Sequence, residues 1–199
     1  MKARVVVCAS GEGTGFESMV QASRQGELQA EIVGLITNRD AVGALQRAQR
    51  LQIPAQVITG KAYSNVPTWD RALAHQLQQW RADWVALAGF LALIGPEVLR
   101  SYPQRIVNSH PALLPKFGGP GMFGKHVHRA VVASGATESG VTIHLIDEQY
   151  DRGQILAQAR VPVHPGDSPE ALEQRVKASE VRFYPKVLND LVTGRITLR

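Results

Sequence analysis

The sequence predicts an α/β fold over 199 residues: a doubly wound, mostly parallel sheet flanked by helices, with some antiparallel character near the C-terminal side. Three observations carry this expectation. Short apolar runs alternate with segments of helical spacing. The runs are nearly continuous in apolar residues, as in parallel strands covered on both faces. A glycine-dense turn, "SGEGTGFES", separates the first run from the first helical segment, which is the layout of an anion-binding βα unit.

The predicted strands are residues 5–9, 32–36, 84–88 and 106–107. The clearest helix is residues 67–80, where Trp69, Leu73, Leu77 and Trp80 recur at helical spacing and Pro67 suits the first turn. The segment "SGVTIHLIDEQYDRGQILAQARVPV" reads as two strands joined by a polar loop. A last helix, residues 168–191, opens with Ser168 as cap, Pro169 at the first helical position and Glu170 in the first turn. Residues 116–125, with Gly118, Gly119, Gly121 and Gly124, form a loop long enough to be a mobile cover or an insertion. No repeat, low-complexity tract or linker divides the chain, so residues 1–199 are expected to form one domain.

Composition narrows the function classes. Apolar residues are 44% and charged residues 20%, ordinary for a soluble globular protein, and no apolar run reaches membrane-spanning length. The start has neither the apolar core nor the cleavage site of a secretory signal, and Cys8 is the single cysteine, so a cytoplasmic location is expected. Cys8 lies inside a strand pattern and reads as a buried thiol. The net charge of +5 comes from scattered Lys and Arg, which argues against nucleic acid and for small anionic substrates. His126 and His128 begin a helical pattern without Cys or acidic ligand spacing, and His144 reads as a packed strand residue, so no metal is expected.

Gly11, Gly13 and Gly15 fit neither the dinucleotide fingerprint, whose third glycine would fall at Phe16, nor a P-loop, since no Gly-Lys-Ser/Thr follows. Two readings stand: a phosphate cradle of backbone amides, favoured by position and glycine density, or a tight turn that binds nothing.

The segment "RIVNSHPALLPKF" holds the polar groups most useful to acyl chemistry. Asn108 and His110 stand two apart where a parallel strand is expected to end, and that spacing points both to one side of an extended chain. Asp151, between two strand patterns, is placed to fold back over the same edge. An amide donor for an oxyanion, an imidazole and a carboxylate to orient and charge it, with no Ser or Cys nucleophile, suit direct acyl transfer between two bound substrates.

"IVNSHPALLPKF" followed by "YDRG" resembles the folate-dependent formyltransferase family, whose signature is Asn-x-His-Pro-x-Leu-Leu-Pro with a later Asp-x-Gly. The likeness extends to "SGEGTGFES", "ALAGFLALI" and "EVRFYP", nearly the whole chain. It implies a phosphate-binding half of about residues 1–100 and a catalytic, folate-binding half of about residues 101–199. The implied donor is 10-formyltetrahydrofolate as co-substrate, with Asn108 holding the formyl oxygen and His110, positively charged through Asp151, assisting. Its pterin would lie against Phe90, Leu91, Ala92, Leu93 and Ile94 and the backbone from Asp147 to Asp151. The implied acceptor, favoured by the glycine turn, Glu180 and chain length, is glycinamide ribonucleotide of purine biosynthesis. Its phosphate would sit on the amides of Gly13, Thr14 and Gly15, and Glu180 would meet its ribose or amine end. The family usually has Ser-Asn where this chain has Thr14-Gly15, and often Arg where Ala92 stands and near Val66. Glu180 also falls on the apolar stripe of Leu172, Val176 and Tyr184, as an edge residue or a buried, partnered one. Alternatives are a formyltetrahydrofolate deformylase, disfavoured because no N-terminal extension precedes the first strand, a formyltransferase for another amine, and an inactive binding module. A monomer or homodimer is expected.

Overall fold

The computed structural model describes residues 2–148 and 151–198. The elements in chain order are β1 (Ala3–Cys8), α1 (Thr14–Gln25), β2 (Ala30–Thr37), α2 (Gly43–Arg50), β3 (Ala55–Val57), α3 (Val66–Gln79), β4 (Trp84–Leu87), α4 (Pro96–Ser101), β5 (Ile106–His110), α5 (Lys125–Ala133), β6 (Glu138–Leu145), β7 (Ile155–Pro162) and α6 (Pro169–Val192). One sheet runs in the order β3-β2-β1-β4-β5-β6-β7. The first five strands are parallel, and β6 and β7 are antiparallel additions.

Alternation along β1 explains its unbroken apolar run. Val5 and Val7 join the core that contains α1, α2 and α6 residues, whereas Val6 and Cys8 join the core under α3 and α4. All four are 0% exposed. Each fully buried side chain of this kind contributes roughly 1.5–3 kcal/mol, and both faces need one. Burial also pushes the Cys8 thiol up to about 12, which leaves it inert.

The helix expected from periodicity and the one expected from its Ser-Pro-Glu start both form with defined caps. Asn65 caps α3 by accepting from Thr68 N at 3.0 Å, and Thr68 Oγ1 accepts in return from Asn65 N at 3.3 Å. Trp69, Leu73 and Leu77 are among its buried residues, and Trp80 falls just after its last turn. Ser168 Oγ caps α6 by accepting from Ala171 N at 3.2 Å.

The order of strands reverses between β1 and β4: β2 and β3 extend the sheet one way, β4 and β5 the other. The carboxyl ends of β1 and β4 therefore diverge into a crevice, the usual ligand position in such sheets. Asn108 and His110 were expected where the strand ends. They belong to β5 itself, because pairing with β6 (Asn108↔His144, Ser109↔Ile143, His110↔Thr142) extends the strand by three polar residues.

Candidate active site

A cleft of about 510 Å³ opens at that crevice. It is lined by Gly13, Thr14 and Gly15, by Phe90 to Ile94, by Asn108 and His110, by Asp147 and Asp151, and by Glu180. Every site residue expected from the sequence thus meets the same space. Gln149 and Tyr150, inside the loop expected to meet the donor, lie outside the described residues.

The glycine turn closes the β1 side. Gly13 is the N-cap of α1 with φ +74°, and a Cβ there would come within 2.7 Å of Ala44. Only glycine satisfies both constraints, so the turn is shaped by α2 as well as by its own sequence. Across the crevice, Ser10 Oγ donates to Asn38 Oδ1 at 2.6 Å and accepts from Leu91 N at 2.8 Å, tying the segment after β4 to this turn. Within that segment Phe90 and Ile94 are buried, while Leu91 and Leu93 remain 44% and 51% exposed. They form an apolar lip.

Asn108 and His110 share a sheet face by strand alternation, and Asp151 reaches over that face. The Asp151 carboxylate sits between two imidazoles, with Oδ2 3.5 Å from His110 Nδ1 and Oδ1 3.6 Å from His144 Nε2. Oδ2 also accepts from Gly119 N at 2.9 Å, which ties the Gly-rich loop to the carboxylate. The loop can place Asp151 there because Gly153 passes close to β6. A Cβ on Gly153 would lie 1.8 Å from the Leu145 carbonyl oxygen. That approach is the physical content of the Asp-x-Gly spacing.

His110 is 3% exposed, and its Nε2–H donates to Phe117 O at 2.8 Å, which leaves the Nδ1 lone pair facing Asp151. Burial lowers its pKa below the ordinary 6.5, more strongly than Asp151 and the Phe117 carbonyl raise it. This direction runs against the imidazolium expected from the sequence: in the free cleft, desolvation outweighs a carboxylate 3.5 Å away. A proton arriving at the ring would still be met by Asp151.

His144 was read as a packed strand residue, and it is fully buried. It also holds Asn108. Its Nδ1–H donates to Leu145 O at 2.9 Å, so Nε2 is an acceptor and takes a hydrogen from Asn108 Nδ2 at 3.1 Å. The other Asn108 amide hydrogen is left for the cleft. Only the β5–β6 register could have revealed this, since 36 residues separate the pair.

The segment after His110 is fixed from below. Thr142 Oγ1 donates to Ala112 O at 2.6 Å and accepts from Leu114 N at 3.0 Å, and Gln158 Nε2 donates to Leu114 O at 2.9 Å. On the opposite face, Tyr184 of α6 reaches the carbonyls of Val107 at 2.9 Å and Leu87 at 3.3 Å. One helix residue thereby joins the end of β4 to β5 below the cleft.

Glu180 stands one turn before Tyr184, partly exposed to the cleft. Its pKa is raised, chiefly by desolvation, against the lowering influence of the Ser109 hydroxyl and of Lys177. Ser109 Oγ is buried and makes no hydrogen bond of good geometry among the described residues. A partly desolvated carboxylate of this kind is a strong acceptor for a polar ligand. Among the described residues, no group of three or more His, Cys, Asp or Glu could hold a metal ion.

Residues 3–188 match the formyl transferase family model. The chain belongs to the formyl transferase family. It is 41% identical over 197 residues to a chloroplastic phosphoribosylglycinamide formyltransferase of Vigna unguiculata, covering 98% of this chain and 63% of that protein. This chain thus spans under two thirds of that relative's length. It is 33% identical over 196 residues to the phosphoribosylglycinamide formyltransferase of Haemophilus influenzae, covering 98% of this chain and 90% of that one. Among solved structures, glycinamide ribonucleotide transformylase 1 from Symbiobacterium toebii superposes with a TM-score of 0.94 at 33% identity, covering 100% of this chain and 91% of that one. Within this family member, the sheet order, the crevice and the signature residues converge on one end of the sheet. No described helix is long and apolar enough to cross a membrane.

Proposed function

We propose that this formyl transferase moves a formyl group from 10-formyltetrahydrofolate to the amine of glycinamide ribonucleotide, a step of purine biosynthesis. The observation that carries the reading is the meeting of Asn108, His110 and Asp151 in a cleft that also holds the glycine turn and Glu180. The names of the Haemophilus and Symbiobacterium relatives support the same acceptor.

The acceptor's phosphate lies on the amides of Gly13, Thr14 and Gly15, and Glu180 accepts hydrogen bonds from its ribose or amine end. The donor rests on the apolar lip of Leu91 and Leu93, over the floor made by Phe90, Ala92 and Ile94, and meets the backbone near Asp147 and Asp151. The amine nitrogen bonds to the formyl carbon, and the carbonyl oxygen becomes an alkoxide. Asn108 Nδ2, anchored on one side by His144, donates its free hydrogen to that oxygen. One such donor is worth about 3–4 kcal/mol of barrier. Neutral His110 takes the proton shed by the attacking amine, and Asp151 stabilises the imidazolium. The same proton then goes to N10 of the donor as the carbon–N10 bond breaks and the carbonyl re-forms. A ring held neutral at rest suits this exchange better than a permanent cation, which could not accept the first proton.

The test is turnover of purified protein with 10-formyltetrahydrofolate, with and without glycinamide ribonucleotide. Tetrahydrofolate and formylated ribonucleotide are expected to appear together, and only with the amine present. Release of formate without the amine would replace this reading by a deformylase. No reaction under either condition would leave a binding module.

A further inference from the structure

We propose that Arg39 supplies the positive charge that holds the acceptor's phosphate, and that Glu12 opposes it from the same lip of the cleft. This rests on the reading above of a phosphorylated amine as acceptor.

The charges at the glycine turn do not balance by themselves. The start of a helix offers the equivalent of about half a positive charge, while a phosphate monoester carries roughly −1.5 to −2 at pH 7. The amides of Gly13, Thr14 and Gly15 therefore leave most of that charge uncompensated. Glu12, exposed and lining the same cleft, adds another negative charge within the turn. A side-chain cation is needed nearby.

The sheet brings one candidate alongside. Cys8 pairs with Ile36, and Ala9 N donates to Ile36 O at 3.0 Å, so the chain beyond β2 leaves the sheet beside the chain beyond β1. The Ser10–Asn38 hydrogen bond at 2.6 Å continues this contact, and Ala44 N donates to Gly11 O at 3.0 Å where α2 begins. Residues 38–42 thus run along the glycine turn, on the side away from β4. Arg39 lies in this stretch, exposed, and lines the cleft.

The neighbouring cations are already committed. Arg47 and Arg50 both bind the Glu17 carboxylate, and Arg47 also donates to Glu12 O at 2.7 Å. Lys177, on the far wall, pairs with Glu173 at 2.9 Å. The hydrogen bonds of Arg39 use its backbone alone, and its guanidinium meets no partner among the described residues. A planar fork of donors without a carboxylate beside an amide cradle is suited to a phosphate. The donor's glutamate carboxylates are the competing anion, but the donor lip follows β4, across the turn from Arg39.

Calorimetric titration with glycinamide ribonucleotide at low salt tests the assignment. Arg39→Ala is expected to raise Kd about tenfold, the size of one charge-assisted contact. Arg39→Lys should lose less, and Glu12→Gln should lower Kd about two- to threefold. With the riboside lacking the phosphate, Arg39→Ala should match the unsubstituted protein, and KM for 10-formyltetrahydrofolate should stay within twofold. Arg39 is exposed, so the fold is retained. An unchanged Kd for the ribonucleotide, an equal loss with the riboside, or a rise in the donor's KM instead would each overturn the role given to Arg39. Absence of binding heat with the unsubstituted protein would overturn the acceptor assignment itself, and the role of Arg39 with it.

Discussion

The amide nitrogen of Asn108 lies 3.1 Å from Nε2 of His144, directly across the β5–β6 pair. Asn108 is thereby held with its nitrogen anchored and one hydrogen free, and a buried histidine acquires a place in the proposed chemistry. Replacing His144 by Phe keeps the volume and removes both hydrogen bonds. The expected result is a fall in kcat of roughly 10- to 100-fold, as the donor to the alkoxide loses its aim. Orphaning the Leu145 carbonyl and the Asn108 amide should also cost about 1–3 kcal/mol of stability. Steady-state kinetics beside thermal melting separates the two effects. A melting change with kcat within twofold would assign His144 to packing alone.

Gly153 allows Asp151 to come over the sheet, since a Cβ there would meet the Leu145 carbonyl oxygen at 1.8 Å. Gly153→Ala must push the loop outward and take the carboxylate from His110. We expect kcat to drop by at least tenfold, with the Kd of glycinamide ribonucleotide changed less than threefold. Comparable losses in both would mean that the loop shapes the whole cleft.

In the proposed reaction Glu180 trades stability for acceptor binding. Its folded pKa is raised above the ordinary 4.5 by desolvation, so the folded state holds its proton more tightly than the unfolded chain does. Above pH 4.5 the unfolded chain ionises more readily, and the ionised carboxylate costs stability at pH 7. Glu180→Gln should leave the melting temperature equal or higher while weakening acceptor binding about tenfold. A marked loss of melting temperature would show that Glu180 serves the fold.

Acid should destabilise the protein before ordinary carboxylates protonate. His110, His128 and His144 are all lowered from 6.5, each chiefly by burial. Below pH 6.5 the unfolded chain takes up protons that the folded state refuses, so stability is full above that value and falls as pH drops toward the lowered folded values. A tenfold difference in proton affinity between the folded and unfolded chain is worth about 1.4 kcal/mol. For a chain of this size, about 1 kcal/mol moves the melting temperature by roughly 2–4 °C. Glu180 acts in the opposite sense, one group against three. Melting between pH 7.5 and 5 should show a decline, and a flat or rising profile would contradict the burial argument.

Much of this was legible along the chain because it depends on neighbours. The continuous apolar runs gave β1, β2 and β4, helical spacing with Pro67 gave α3, and the Ser168 cap with Pro169 gave α6. What the linear pattern missed was small or at an edge. Helix α2 buries only Ala44 and Ala48, and α4 only Val98, too little for an apolar stripe. Strand β3 is largely exposed at the end of the sheet. The site divides in the same way. Asn108 and His110 announce themselves by spacing, but the Asn108–His144 contact needs the strand register. The lowered pKa of His110 comes from its burial, which no spacing encodes. Arg39 stood in the sequence as one more scattered cation until the β1–β2 pairing set it beside the glycine turn.

In the proposed reaction Asn108, His110 and Asp151 act on bond-making rather than on binding. The decisive measurement is single-turnover formyl transfer with both substrates saturating, in His110→Ala and Asp151→Asn. A rate at least 100-fold lower is expected in each, with the Kd of glycinamide ribonucleotide within threefold of the unsubstituted protein. Rates within threefold, or losses that appear in Kd instead, would contradict that role.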